Sequence, residues 1–327
     1  MKLGIIGTGM IVQEFLPELV RLDGPEVKAL LSIPRSKEKA EQLAAEYSVS
    51  AVVTCFEDLA CQDIDTVYIA VPNHLHYRYA MKVLEAGFHV IVEKPLAASD
   101  WQAESMAALA RRKGRCLLEA VTVSTLPGFE KIREWLPEIG QVKSVSCQYL
   151  QYSRRYDAFC RDEILPVFDP AKAGGALMDL NTYNLHYVLN LFGKPRVFRY
   201  YATVEHGIDT GGTLVLSYPG FQAVCMAPKT CSGSNHCVVA GTKGTITTSQ
   251  AANTIGSVML ELRNGQRETF EPAEEARVIP EFRRFMEIID GHNQQAAEDW
   301  LAVSLAVSGI QTESRRQNDI VFPADEV

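Results

Sequence analysis

A glycine turn near the start of the chain has the residue types of a dinucleotide site. In the run 6–12, Gly7 and Gly9 lie between an apolar stretch and a helical pattern. Such glycines let the backbone turn tightly and approach a pyrophosphate, which the helix N-terminus then binds. Val12 stands where a third glycine is common, and a merely structural turn is the alternative. We predict that the cofactor contacts Gly7, Thr8, Gly9, Met10 and Ile11.

The residues after the second apolar run indicate which dinucleotide binds. NAD enzymes usually place Asp or Glu about 20 residues after the glycines. Here the stretch 31–37 contains no acid, and Arg35 lies between Ser32 and Ser36. An arginine and two hydroxyls can bind a 2′-phosphate through charge-assisted hydrogen bonds. The sequence therefore favours NADP over NAD, and the alternative is a solvated helix start capped by Ser36.

Two further segments, at the ends of the fourth and fifth apolar runs, are expected to contact the cofactor. The predicted contact residues are Val71, Pro72, Asn73, His76, Glu93 and Lys94. Proline restricts the residue before it, so Lys94 is held stiffly by Pro95. A lysine there can donate to a substrate oxygen and stabilise negative charge. The alternative for Lys94 alone is a surface lysine at a strand end.

A later helical pattern contains a carboxylate, a phenol and an imidazole. Asp179, Tyr183 and His186 are spaced i, i+4 and i+7, which places them on one helix face beside the glycines of the run 173–176. This combination suits substrate binding and proton transfer. A polar surface stripe is an equally good interpretation of these residues by themselves.

The elements that position these residues differ between the two parts of the chain. Up to about residue 120, short apolar runs alternate with helical patterns, which is typical of βαβ units and a parallel sheet. Beyond it, strand patterns follow one another with few helices, apart from a helical segment at 177–192. We predict an α/β Rossmann domain over residues 1–121. An α+β domain with a large, open, mostly antiparallel sheet follows over 122–327, and its helix near 295–313 packs back toward the first.

Composition excludes several classes of function. The formal net charge of −8 argues against nucleic acid or an anionic membrane surface as the main partner. No segment approaches the ~20 apolar residues of a membrane span. The run 1–6 lacks the features of a secretory signal and reads as a first strand, so we expect a cytoplasmic protein. The eight cysteines form no Cys-x-x-Cys pair and match no metal-ligand spacing, so we expect free thiols and no metal.

The sequence as a whole resembles the Gfo/Idh/MocA oxidoreductases, the family of glucose–fructose oxidoreductase, inositol dehydrogenase and dimeric dihydrodiol dehydrogenase. The resemblance covers nearly the whole chain. It rests on the glycine turn, Pro72–His76, Glu93-Lys94-Pro95, Glu119-Ala120, Gly174–Asp179, and Pro280-Glu281-Phe282 with Phe285. Each motif is unspecific alone, but the combination is specific.

The resemblance implies hydride transfer between a nicotinamide and a secondary alcohol or carbonyl of a sugar, polyol or related diol. It places Lys94 at the family's essential lysine and Asp179 at its substrate-site aspartate. Tyr183 stands where many members have a catalytic histidine, as in the branch that uses a tyrosine acid/base. Lys94 nearby would lower the pKa of Tyr183 from its ordinary value near 10. His186 is then a substrate ligand, or the proton donor if Tyr183 points away.

Two expectations concern behaviour beyond the single site. The main rival function is a cofactor- or sugar-binding regulator without turnover on the same fold, which has no need of Lys94, Asp179 and Tyr183 together. We also expect a homo-oligomer, most simply a dimer, through the face of the second sheet. The strand patterns 197–202 and 222–227 have too few charges for a fully solvated face.

Overall fold

The computed structural model describes residues 1–326. The first part of the chain contains β1 (Lys2–Ile6), α1 (Met10–Leu19), β2 (Glu26–Leu31), α2 (Lys37–Glu46), β3 (Ala51–Val53), α3 (Phe56–Ala60), β4 (Thr66–Ile69), α4 (His76–Glu85), β5 (His89–Glu93), α5 (Asp100–Lys113) and β6 (Leu117–Ala120). It continues with α6 (Pro127–Trp135), β7 (Val142–Gln148), α7 (Tyr156–Phe159), α8 (Ala176–Asp179), α9 (Asn181–Phe192), β8 (Val197–Glu205) and β9 (Ile208–Tyr218). The last elements are β10 (Phe221–Met226), β11 (His236–Gly241), β12 (Gly244–Thr248), β13 (Val258–Leu262), β14 (Arg267–Phe270), α10 (Val278–Ile289) and α11 (Gln294–Arg316).

The chain divides into two compact units, and the first comprises residues 1–120 and 275–305. Its sheet has the order β3-β2-β1-β4-β5-β6, and every pairing is parallel. All four residues of β4 and of β6 are buried, as expected for strands covered on both faces. The strand order reverses between β1 and β4, and in such sheets ligands bind outside the carboxyl ends of the strands at that point.

Helix α10 joins the first unit although it lies late in the sequence. Phe282, Phe285 and Ile288 are fully buried in the same core cluster as Phe15 and Tyr68. The Phe282 ring lies 5.6 Å from that of Phe15 and 5.5 Å from that of Tyr68. The sequence-based division placed all residues after 121 in the second domain. The structure differs because the apolar face of α10 completes the Rossmann core.

The second unit comprises, among the described residues, 121–274 and 306–326, and contains an eight-stranded sheet. Its order is β14-β13-β12-β11-β7-β10-β9-β8, with β10 and β7 parallel and the other pairs antiparallel. One face is buried and includes Leu214, Cys225, Cys147 and Val239. The other face alternates with it and is partly exposed. The predicted fold class, a Rossmann domain followed by a large, mostly antiparallel sheet, is confirmed.

Side-chain amides cover the outer edge of β8, the last strand of this sheet. Gln317 accepts a hydrogen bond from the Tyr200 N–H (3.1 Å) and donates to the Phe198 carbonyl (3.4 Å). Asn318 accepts from the Ala202 N–H (3.3 Å) and donates to the Tyr200 carbonyl (3.0 Å). The two residues after α11 therefore satisfy backbone groups that an edge strand leaves unpaired.

Some local predictions need correction. The single helix predicted over 177–192 is two helices, α8 and α9, separated by Leu180. The sequence patterns did not indicate α3, α6, β12 or β14. Within residues 1–326, no helix combines the length and apolar character needed to cross a membrane.

Candidate active site

The glycine turn is built as the sequence predicts. Gly7 has φ +117°, and a Cβ there would clash with the carbonyl oxygen of Ala70. Gly9 caps the start of α1, and a Cβ at this exposed position would meet nothing within 4 Å. Gly7 is therefore required by the fold, whereas Gly9 leaves open space in front of the α1 N-terminus. That space suits a bound pyrophosphate.

The end of β2 presents the residues predicted to bind the adenosine ribose. Ser32 is 2% exposed, and its Oγ has no hydrogen-bond partner within the described chain. Buried hydroxyls are normally hydrogen-bonded, so this oxygen is available to a ligand or a water molecule. Arg35 is exposed in the turn that leads into α2, and Ser36 is half-buried. These side chains fit a phosphorylated ribose.

His76 has a different position from the predicted one. Its side chain is fully buried, with Nδ1 2.8 Å from the Pro95 carbonyl oxygen and Nε2 2.9 Å from that of Val71. Burial lowers the pKa of this imidazole. The prediction that His76 binds the cofactor is corrected, because both ring nitrogens already face backbone carbonyls. His76 instead ties the segment after β4 to the segment after β5.

Lys94 follows β5 directly and is partly exposed, and its peptide bond to Pro95 is cis. The preceding Glu93 accepts a hydrogen bond of 2.6 Å from the Tyr68 hydroxyl. Burial raises the pKa of the Glu93 carboxyl. Burial and the neighbouring Glu93 raise the pKa of the Glu281 carboxyl, on α10, well above its usual range. Lys94 therefore extends from a segment that is fixed by buried, hydrogen-bonded neighbours.

In the second unit, a glycine loop leads to Asp179. Gly175 has φ +102°, and a Cβ there would clash with Oδ1 of Asp209, a fully buried residue of β9. Asp209 accepts hydrogen bonds from the Leu177 N–H (2.6 Å) and the Tyr200 hydroxyl (2.8 Å). Burial raises the pKa of Asp209 to about 6. This carboxyl therefore fixes the start of α8, the helix that ends at Asp179.

Asp179 forms an ion pair with Lys229, a residue that sequence reasoning missed. The lysine Nζ donates to Asp179 Oδ2, and it also lies 5.7 Å from the centre of the Phe168 ring. The Lys229 side chain is 4% exposed, whereas that of Asp179 is 32% exposed. The pair therefore presents a carboxylate to solvent and keeps the ammonium inside the unit.

Tyr183 lies in the first turn of α9 and is partly exposed. Its ring centre lies 6.0 Å from that of Tyr149, whose hydroxyl accepts a 3.1 Å hydrogen bond from the Asn253 amide. His186 is only 1% exposed. The predicted face of a single helix is not formed: Asp179 ends α8 and Tyr183 lies in α9, and both are partly exposed. His186 is not exposed beside them, because α9 directs that position into the interior.

The residues that sequence reasoning missed have one property in common. Lys229, Asp209, Tyr149 and Asn253 are far in sequence from the motifs beside which they fold. Only Lys229 could have been noticed in the sequence, because it is the first charged residue after the uncharged strand run 221–228. Among residues 1–326, no group of three or more His, Cys, Asp or Glu residues is arranged to hold a metal ion.

Family models and full-length similarity determine the family. Residues 1–121 match the model described as "Oxidoreductase family, NAD-binding Rossmann fold", and residues 129–247 match the "GFO/IDH/MocA C-terminal domain". The chain is 33% identical over 329 residues, 99% of each chain, to the scyllo-inositol 2-dehydrogenase (NADP(+)) IolU of Bacillus subtilis. The chain belongs to the Gfo/Idh/MocA oxidoreductase family. It is an NAD(P)-dependent oxidoreductase, as the sequence predicts.

A further relative and two solved structures also align along nearly the whole chain. The mouse trans-1,2-dihydrobenzene-1,2-diol dehydrogenase is 26% identical over 100% of this chain and 99% of its own. The structure of KijD10, a 3-ketoreductase from Actinomadura kijaniata in complex with NADP and TDP-benzene, has a TM-score of 0.81 at 22% identity and covers 95% of this chain and 97% of that one. The aldose-aldose oxidoreductase of Caulobacter crescentus, complexed with glycerol, has a TM-score of 0.81 at 21% identity and covers 97% and 98%. These two structures show the shared fold.

Proposed function

We propose that the protein interconverts a secondary alcohol and the corresponding carbonyl in a sugar, polyol or related diol, with NADP(H) as its cofactor. One observation supports this most directly: the partly exposed carboxylate of Asp179, at the end of α8, is followed four residues later by the partly exposed phenol of Tyr183, in the first turn of α9. A carboxylate accepts hydrogen bonds from hydroxyls, and a phenol exchanges a proton with one. Relatives of similar length are named for inositol and diol substrates.

The preference for NADP is supported by the end of β2. No acidic residue follows this strand before Glu38, so nothing there repels a 2′-phosphate. Arg35 is exposed, and the buried Ser32 hydroxyl lacks a partner within the described chain. Isothermal titration should show tighter binding of NADPH than of NADH, and Arg35→Ala should remove that preference. Equal affinities in the unmodified protein would contradict it.

The chain's own residues divide the work of the reaction. When bound, the nicotinamide supplies the hydride acceptor or donor. We propose that Tyr183 exchanges the hydroxyl proton, that Asp179 holds a substrate hydroxyl, and that Lys94 stabilises negative charge on the substrate oxygen.

A steady-state assay tests the proposed function. The protein should reduce NADP⁺ with at least one member of a panel of inositols, aldoses and trans-diols, measured as NADPH formation. Lys94→Ala and Tyr183→Phe should each lower kcat by about 10²-fold or more. Both variants should still bind NADPH in titrations, because neither substitution removes the glycine turn or Arg35.

A non-catalytic regulator on the same fold is the alternative function. It predicts that the protein binds NADPH and a sugar without turnover. In that case Lys94→Ala would change only the binding of ligands, and no member of the panel would yield NADPH.

We also propose that the protein is a homodimer through the partly exposed face of the second unit's sheet. One cross-strand row on this face comprises Val215, Val224, Ser146, Val238, Thr247 and Met259. None of these six side chains is charged, and the row continues on β8 with Arg199, the register partner of Val215. An uncharged stretch of this length is unfavourable in water for a monomer, and two copies of it can meet without like-charge repulsion.

We propose the cytoplasm as the location. All eight cysteines are free thiols in the structure. Free thiols persist in a reducing compartment, whereas oxidising compartments favour disulfides.

A further inference from the structure

Lys229 is a buried cation whose partners all lie in the second unit. Its backbone N–H donates to the Thr210 carbonyl (2.8 Å), and its carbonyl accepts from the Ser153 N–H (2.9 Å). The side chain is 4% exposed and pairs with Asp179. The residue is therefore fixed at both its backbone and its ammonium group.

Burying an ammonium ion is unfavourable unless opposite charge and hydrogen bonds replace its hydration. Lys229 has two such sources of negative charge. Asp179 is in direct contact, and the field of Lys229 also reaches the buried carboxyl of Asp209. The Phe168 ring adds a cation–π contact at 5.7 Å. The arrangement concentrates opposite and compensating charge around the Asp179 carboxylate, the group proposed to bind the substrate.

We propose that Lys229 is a positioning residue for the substrate: it keeps the Asp179 carboxylate ionised and oriented so that its exposed part accepts hydrogen bonds from an uncharged, hydroxyl-rich molecule. A lone carboxylate would attract cationic ligands, whereas the compensated pair has no net charge. This inference rests on the proposed function, because Asp179 is taken as the substrate-holding residue.

A purely structural ion pair would have different consequences. It would hold the segment after β10 against the end of α8, and its loss would lower only the free energy of unfolding. The same unit contains a buried ion pair away from Asp179, between Arg315 and Asp325 (2.6 Å), in which Arg315 is fully buried. Arg315→Met is therefore a matched control for Lys229→Met, since each replaces a buried cation with a thioether.

The first measurement does not depend on turnover. In protein labelled with ¹³C at aspartate carboxyls, the Asp179 signal is assigned with Asp179→Asn and followed as a function of pH. Its titration midpoint should be about one pH unit higher, or more, in Lys229→Met than in the unmodified protein. Arg315→Met should leave it unchanged. Lys229→Gln, a second uncharged variant, should give the same upward shift if Lys229→Met does not fold.

The second measurement uses the polyol that the unmodified enzyme oxidises. Lys229→Met should raise its KM about tenfold, change kcat less, and leave NADPH affinity unchanged. An unshifted Asp179 titration in both uncharged variants would overturn the proposal, as would a rise in KM no larger than that of Arg315→Met. If no polyol is oxidised at all, the proposed function fails, and the carboxyl titration still decides the role of Lys229.

Discussion

At the scale of single residues, two glycines two positions apart have opposite reasons to be glycine. Gly7→Ala should destabilise the first unit, because φ +117° costs an L-residue about 1–2 kcal/mol and the added Cβ clashes with the Ala70 carbonyl. Gly9→Ala should leave stability within about 0.5 kcal/mol, since φ is −69° and no atom lies within 4 Å of the Cβ. The same Cβ enters the space assigned to the pyrophosphate. NADPH affinity should therefore fall about tenfold or more.

Thermal denaturation and isothermal titration of the two variants check this prediction. The decisive measurement is the NADPH affinity of Gly9→Ala. If this variant binds NADPH as tightly as the unmodified protein, the pyrophosphate does not lie in front of α1.

The Asp209 carboxyl makes the free energy of unfolding fall as pH rises, whereas a salt-bridged aspartate usually has the opposite effect. Burial raises its pKa from 3.8 to about 6, so the folded state keeps a proton that the unfolded state releases. The contribution of Asp209 to the free energy of unfolding is therefore greatest below about pH 4, falls as pH rises to about 6, and stays low above that. Asp209→Asn has no such dependence, while its amide oxygen can still accept from the Leu177 N–H.

Urea denaturation of both proteins between about pH 4 and pH 7 measures this effect. The stability of the unmodified protein relative to Asp209→Asn should fall by at most about 3 kcal/mol over this range. A difference that is constant with pH, or that grows in favour of the unmodified protein, would show that Asp209 is already ionised at about pH 4.

At the scale of elements, α10 is a structural part of a unit whose six strands all lie more than 150 residues earlier in sequence. Phe282→Ala removes a fully buried ring that lies within 6 Å of the rings of Phe15 and Tyr68. It should cost about 3–5 kcal/mol, and Phe282→Leu should cost less. Because a ligand stabilises the unit that binds it, the transition that NADPH shifts upward in calorimetry is that of the first unit. The prediction is wrong if Phe282→Ala lowers only a transition that NADPH does not shift.

The βαβ elements were predictable because the hydrophobic periodicity and the turn residues indicate the same helix and strand boundaries there. Strand β4 is buried on both faces, and α5 ends at Gly114, whose φ of +63° favours glycine. Strand β14 was not predictable, since its run of alternating charge is exposed and has no apolar period. The break at Leu180 was also hidden, because its backbone is nearly helical.

The candidate site likewise contains residues that the sequence could predict and residues that it could not. Local motifs predicted Gly7, Gly9, Lys94 and Asp179, since a glycine turn, a strand end or a nearby glycine loop marks each of them. No local pattern reveals that Lys229 reaches Asp179, because that pairing depends on how β10 is ordered in the sheet. The burial of His186 likewise depends on which face of α9 packs inward, and helical spacing alone cannot decide this.

At the scale of the whole molecule, the partly exposed sheet face predicts the state of assembly. The unmodified protein should have a dimeric mass in light scattering at micromolar concentration. Val224→Lys should give a monomeric mass, because a two-fold interface brings the new charge close to its copy. Val321→Lys is the control, since Val321 is 62% exposed and belongs to no strand. A monomeric mass for the unmodified protein would contradict the proposed dimer.

The amides of Gln317 and Asn318 also determine what the second sheet can recruit. An open strand edge is a template on which another chain can add a strand, and repeated addition produces fibrils. Strand β14, at the far edge, has only four residues and carries Arg267 and Glu268, which oppose such addition by charge. Strand β8 has nine residues and exposed Val197 and Tyr201, so charge alone does not protect it. The residues after α11 therefore block strand addition at β8. A protein lacking them would expose a nine-residue edge strand with which another chain can pair.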